Sequence, residues 1–148
     1  MKGQERAKAG QSHTTLGSVP TSLPALLRAY KIGKRAAATG FDWHGATDVI
    51  AKIKEEVAEL RDTLEKDPAN AKRAEEEMGD LLFAIANLSR KLGIEPETAL
   101  RHANDKFTSR FGQLEQRVIA SGRTLESMTL EEMESVWQVV KRSQSDGI

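Results

Sequence analysis

The chain has 148 residues, enough for one ordinary domain with a buried core and too few for two independent ones. Its 39% hydrophobic residues, 5% aromatics, 30% charged residues and 4 prolines suit a soluble helical protein better than an aromatic-rich β-sandwich. The 22 basic and 22 acidic residues cancel, so no global charge draws the chain to a nucleic-acid polymer or a membrane. The absence of cysteine removes disulfides, thiolate metal sites and cysteine nucleophiles together.

Residues 1–22 are rich in Gly, Ser, Thr, Lys and Gln without an apolar period, and read as a mobile or partner-dependent arm. The polar, basic start is not a secretory signal, and no apolar run approaches the roughly 20 residues of a membrane span, so a cytoplasmic protein is the default. From Leu23 the pattern turns helical. Pro24 fits a first turn, and Leu26, Leu27, Tyr30 and Ile32 begin an amphipathic stretch that Gly40 stops near Thr39. Phe41-Asp42-Trp43 then forms an aromatic-bearing connection.

A second helix is expected from about Thr47 to Glu65, with Val49, Ile50, Ile53, Val57, Leu60 and Leu64 on one stripe. Asp67-Pro68 ends it. The third, about Ala71 to Leu92, carries Leu81–Ala86, which is apolar all round and implies burial on more than one side. Gly93 reads as a C-terminal glycine and Pro96 as an early position of a fourth helix reaching about Ala120. Gly122 interrupts that helix. Thr129 and Glu132 have capping-box spacing for a last helix from about Leu130 to Arg142, with residues 143–148 as a tail. Phe83, Phe107 and Phe111 are expected in the core. With no strand pattern and no repeat, the expected fold is all-α, a four- to five-helix bundle over residues 23–142.

Charge is unevenly distributed. Ten acids lie from Glu55 to Asp80, with Arg28, Lys31, Lys34 and Arg35 before them and Arg101, Lys106, Arg110 and Arg117 after. Glu56 and Glu59 are three apart and so share a helical face, and Glu77 and Asp80 repeat that geometry on the next helix. Antiparallel packing of the two helices would gather four carboxylates whose mutual repulsion a divalent cation relieves. All-oxygen ligation suits Mg²⁺ or Mn²⁺ rather than zinc. A solvated acidic face is the competing reading. The second acidic group abuts the apolar run from Leu81, and Gly79 would permit close backbone or ligand approach.

These residues resemble a known family. Glu55-Glu56-x-x-Glu59 followed by Glu77-x-x-Asp80 is similar to the EExxE…ExxD signature of the MazG nucleoside triphosphate pyrophosphohydrolases, within the all-α NTP pyrophosphatase superfamily. Leu23–Leu26, Gly40–Trp43, Glu76–Phe83, Ala103–Phe107 and Met133-Glu134-x-x-Trp137 resemble the same catalytic domain, and the likeness covers about residues 3–142. The resemblance implies Mg²⁺-dependent hydrolysis of nucleoside triphosphates to monophosphate and pyrophosphate by an intertwined helical homodimer. It makes Glu56, Glu59, Glu77 and Asp80 metal ligands, and places Lys52, Glu55, Arg73, Glu76, Lys106, Arg110 and Trp137 against the nucleotide. Longer members of the family carry a second, N-terminal MazG-like half. Only one is legible here, so the chain reads as part of a longer protein or as a naturally short form.

Release of pyrophosphate requires water to attack the α-phosphorus. Glu55 and Glu76, each beside a metal ligand, are the candidates to orient or deprotonate that water. Lys106 and Arg110 share a face and suit phosphate, and Asn104 suits a phosphate or a water at the site edge. Trp137 suits stacking on a base, and Trp43 suits either stacking or packing beneath the Gly40 turn. His13, His44 and His102 lack zinc spacing, and neither a nucleophile elbow nor a GxxxxGK[ST] loop is present. Phosphoribosyl-ATP and dUTP or dCTP pyrophosphatases share the acidic motif and are the nearest enzymatic alternatives. A non-catalytic nucleotide-sensing dimerisation module is the alternative from a different class, and four clustered acids without metal argue against it.

Overall fold

The computed structural model describes residues 14–146; the first part of the expected arm, His13 included, and the end of the tail at 147–148 lie outside the described residues. Among the described residues every regular element is helical. These are α1 (Ala25–Ala38), α2 (Ala46–Lys66), α3 (Ala71–Lys91), α4 (Pro96–Ala120), a 3₁₀ turn (Leu125–Ser127) and α5 (Leu130–Asp146). The all-α expectation holds. No helix of the described residues is long and apolar enough to cross a membrane. The chain divides into two compact units, Met1–Ala99 and Leu100–Ile148.

Helix ends follow local chemistry. Gly40 adopts φ 98°, which lets its N–H reach Ala37 O at 2.9 Å while the Phe41 N–H reaches Ala36 O at 3.3 Å. That pair satisfies carbonyls the helix leaves open. Gly93, at φ 71°, closes α3 in the same way, its N–H on Arg90 O and the Ile94 N–H on Ser89 O. Asn70 caps α3 by accepting the Arg73 N–H at 3.1 Å. Pro96 is the first residue of α4, and the Glu95 carboxylate before it accepts the N–H groups of Glu97 and Thr98. The capping box at α5 is present in both directions, Thr129 N–H to Glu132 Oε1 at 3.2 Å and Glu132 N–H to Thr129 Oγ1 at 3.1 Å. Pro24 sits just before α1 with ψ 136°, so it caps the helix instead of occupying its first turn. The last helix runs past Arg142 to Asp146, because no glycine or proline intervenes before Gly147.

In the first unit α1 and α2 both pack on α3. Val49, Ala84 and Ala86 are buried there, together with Glu56, Thr63 and Asn87. Gly33 of α1 is buried against Asn87: a Cβ at that position would clash with the Asn87 amide oxygen and lie 3.1 Å from Arg90 Nε. Asn87 is satisfied, donating to Phe83 O at 3.1 Å and accepting from Arg90 Nε at 3.3 Å. Ahead of α1, residues 14–23 form turns, and Val19 is buried.

The expected stripe on α2 splits: Val49 is buried, whereas Ile50, Val57 and Leu64 are exposed. Burial of Leu81–Ala86 on more than one side does not occur within the chain, since Leu82 is 49% exposed and Phe83 and Ile85 are exposed with it. The small Ala84 and Ala86 occupy the helix contact, which leaves the larger side chains on the flanks.

The second unit is centred on Leu114, Val118 and Val140, with Leu125, Met128, Val136 and Trp137 packed around them. Phe107 and Phe111 are not core residues: they are 58% and 40% exposed. They precede the part of α4 that carries the core, and instead stack on each other with ring centroids 6.0 Å apart. Phe107 also lies 5.4 Å from the Trp137 ring.

Candidate metal centre

The spacing of three on α2 and α3 has the expected consequence for three of the four acids. Glu56, Glu59 and Glu77 each offer an oxygen, and these oxygens all lie within 4.8 Å of one another. Asp80 is outside that group but lines the same pocket as Glu56. Burial differs sharply within the cluster: Glu56 is 4% exposed, Glu77 half-buried and Glu59 exposed.

The electrostatics of the cluster are unresolved by protein groups alone. One oxygen of Glu56 is met by Lys52 Nζ at 2.9 Å, and one oxygen of Glu77 has Arg73 Nε at 4.0 Å. The other oxygens, Glu56 Oε2 and Glu77 Oε2, are buried with no hydrogen-bond partner. Buried polar atoms without partners cost free energy and in native proteins call for an explanation. Repulsion, from Glu56 foremost and from Glu77 and Glu55 beside it, pushes the Glu59 carboxyl above the usual glutamate range. The hydrogen bond to Glu56 holds the Lys52 ammonium above its ordinary value. A divalent cation would resolve both features, by ligating the orphaned oxygens and neutralising the repulsion. The oxygen-only donor set suits a hard cation.

Around the acids lie two pockets. One, of about 330 Å³, is lined by Trp43, Lys52, Glu56, Asp80, Phe83 and Ala84. The other, of about 470 Å³, is lined by Asn70, Lys72, Arg73, Glu76 and Glu77. Lys52, Arg73 and Glu76, which the resemblance sets against the nucleotide, line these pockets beside the carboxylates. Glu55 is exposed and 3.7 Å from Lys52.

Asn104, Lys106, Arg110 and Trp137 belong to the second unit. There Asn104 and Lys106 are exposed, Arg110 Nε donates to Gln144 Oε1 at 2.8 Å, and Trp137 is half-buried against the core. Lys72 was not singled out by the sequence, although its adjacency to Arg73 was a signal. Asp42, Arg90 and Lys91 were also missed. They form an ion cluster behind Trp43, and no local pattern connects residues 48 and 49 positions apart.

Comparison with known proteins finds relatives of one family. Residues 45–114 match the MazG nucleotide pyrophosphohydrolase domain. The chain is 47% identical over 146 residues to a nucleoside triphosphate pyrophosphohydrolase of Escherichia coli K12, covering 99% of this chain and 55% of that protein. It is 40% identical over 141 residues to the nucleoside triphosphate pyrophosphohydrolase/pyrophosphatase MazG of Thermotoga maritima, covering 95% and 52%. An uncharacterized protein, YabN, of Bacillus subtilis is 38% identical over 141 residues, of which the chain spans 29%. The chain therefore spans about half the length of the two named enzymes it matches.

Proposed function

Since this chain belongs to the MazG family through its domain at residues 45–114, we propose that it hydrolyses nucleoside triphosphates, ribo- or deoxyribo-, to the monophosphate and pyrophosphate. The observation that carries this reading is the pair of orphaned buried oxygens, Glu56 Oε2 and Glu77 Oε2, at the meeting of α2 and α3. Two carboxylates left half-satisfied in a packed helix pair make sense as a site completed from outside.

In this reading Glu56, Glu59, Glu77 and Asp80 hold Mg²⁺, for which Mn²⁺ can substitute. Bound there, the metal supplies neutralisation of the triphosphate charge and stabilisation of the leaving oxygen. Lys52, Arg73, Lys106 and Arg110 bind phosphate oxygens, Arg through paired donors and Lys as a compact charge. By the family resemblance, Asn104 orients a phosphate or a water, and Trp137 offers a face to the base. Glu55 or Glu76, exposed and adjacent to ligands, takes the proton of the attacking water. The water oxygen bonds to the α-phosphorus, the bond to the bridging oxygen breaks, and that electron pair leaves with pyrophosphate. The exposed apolar flank of α3 and the family resemblance both favour a homodimer. A cytoplasmic role in clearing unwanted nucleotides suits the substrate class.

The test is a product assay across standard and modified NTPs and dNTPs, with and without Mg²⁺, run in ¹⁸O-labelled water. Label in the monophosphate together with free pyrophosphate is the expected result. Binding without pyrophosphate release in Mg²⁺ or Mn²⁺ would mark a nucleotide-sensing module and overturn the reading. Label in pyrophosphate would overturn attack at the α-phosphorus.

A further inference from the structure

The connection between α1 and α2 holds a charged cluster that the hydrolytic reading leaves unused. Asp42 accepts from Arg90 Nη1 at 3.2 Å and Nη2 at 2.6 Å, and from Lys91 Nζ at 2.7 Å. The same carboxylate accepts the Trp43 N–H at 2.8 Å. Arg90 is itself held from behind, its Nη2 reaching the Asn87 amide oxygen at 3.2 Å, and Asn87 is buried under Gly33. The side chains of Asp42, Arg90 and Lys91 are 21%, 10% and 16% exposed, so the charges are partly covered although Asp42 lies at the surface. The Arg90 hydrogen bonds hold the Asp42 carboxyl far below the usual carboxylate range, so it is ionised at any working pH.

What this anchoring fixes is the next residue. Trp43 is half-buried and lines the pocket that also contains Lys52, Glu56 and Asp80. Preceding Asp42 in sequence is Phe41, 83% exposed, in a loop that begins at the positive-φ Gly40. Without the ion cluster, a short glycine-led loop with an exposed aromatic would have little to hold one conformation.

The geometry points to Asp42 as a positioning residue: clamped by Arg90 and Lys91, it holds Trp43 as a wall of the acid-lined pocket, where the indole packs against the nucleoside part of the substrate. This rests on the hydrolytic reading proposed above. A wall preset in the free protein favours substrate and transition state alike, so its loss should appear in KM and leave kcat nearly untouched. The clamp and the metal ligands occupy different residues, which separates their effects.

The experiment compares the wild-type chain with Asp42→Ala, Asp42→Asn and Lys91→Met, measuring kcat, KM for a nucleoside triphosphate and the Mg²⁺ concentration at half-activation. Trp43 emission is read in parallel in a Trp137→Phe background, where it is the remaining tryptophan. Asp42→Ala is expected to raise KM about tenfold, the equivalent of losing one strong charge-assisted contact, with kcat within about twofold and the Mg²⁺ dependence unchanged. Trp43 emission should shift to the red, and acrylamide should quench it more readily. Asp42→Asn, which keeps an acceptor for the Trp43 N–H, should fall between wild type and Asp42→Ala, and it carries the test if the alanine variant does not fold. Unchanged Trp43 emission and quenching in Asp42→Ala would overturn the clamp. A freed Trp43 with an unchanged KM would overturn the wall, as would a fall in kcat at constant KM. If the wild type released no pyrophosphate from any nucleotide, the hydrolytic reading would fail, while the fluorescence would still decide whether Asp42 positions Trp43.

Discussion

The first unit buries Glu56, Thr63 and Asn87 as well as Val49, Ala84 and Ala86, whereas the second unit buries Leu114, Val118 and Val140 and no polar residue among those described. Thr63 and Asn87 find backbone partners, in Glu59 O at 3.0 Å and Phe83 O at 3.1 Å. Half of the Glu56 carboxylate finds none. Thr63 and Asn87 therefore read as structural, and Glu56 as a group kept for something the chain does not itself provide. In the second unit, the fully buried residues among those described are all apolar. In the first unit, small alanines and a glycine bring helices close while a charge stays unsatisfied, an arrangement that costs stability unless the proposed site is filled.

That contrast is sharpest in activity. Glu56→Ala and Glu77→Ala should each lower metal-dependent turnover by at least about a hundredfold, as loss of a metal ligand does, without destabilising the metal-free fold. Steady-state kinetics beside thermal melts check both halves, and full activity in folded variants would remove the metal site. In the second unit the expectation reverses. Leu114→Ala should cost about 2–4 kcal/mol of stability, measured by denaturant unfolding, and leave divalent-cation affinity as it was. A weakened cation affinity would show that the two kinds of burial are not separable.

Smaller effects probe how each unit is held. Gly33→Ala forces a methyl into the Asn87 amide and should cost about 1–3 kcal/mol. It should also loosen Trp43 in fluorescence, because Asn87 supports Arg90. The smallest change is expected at the start of α5, where Arg123 donates to Glu132 and holds its carboxyl at about 2 against an ordinary 4.5. A depressed carboxyl contributes stability that is fully present above pH 4.5 and is lost as pH falls through about 2. Both side chains are exposed, so the contribution is small. Arg123→Met should flatten the melting profile over that acid window, and a profile identical to wild type would show that the pair contributes nothing measurable.

Helices were legible because their determinants are local: Gly40, Pro68, Gly93, Pro96 and the Thr129–Glu132 pair each act on neighbours within a turn. The same holds for the acids, since a spacing of three fixes a shared face before any packing is known. Side-chain burial was less legible. Phe83, Phe107 and Phe111 look like core in a sequence, but hydrophobicity says only what a residue would gain from a partner, and these find too little cover within the chain. The boundary between units falls inside α4, between Ala99 and Leu100, where no proline, glycine or change of composition marks it. The Asp42 clamp depends on partners on α3 that tertiary packing alone brings near.

The contact of Gly33 with Asn87 sets an alignment as well as a distance. Sliding α1 along α3 by a turn in either direction would set Ala29 or Ala37 against the amide, each with a Cβ where Gly33 has none. Neighbouring registers are thus excluded by a clash at a polar group, in addition to being less well packed. The glycine acts as a key that admits a single alignment of two helices, and through Arg90 that alignment reaches the loop that walls the site.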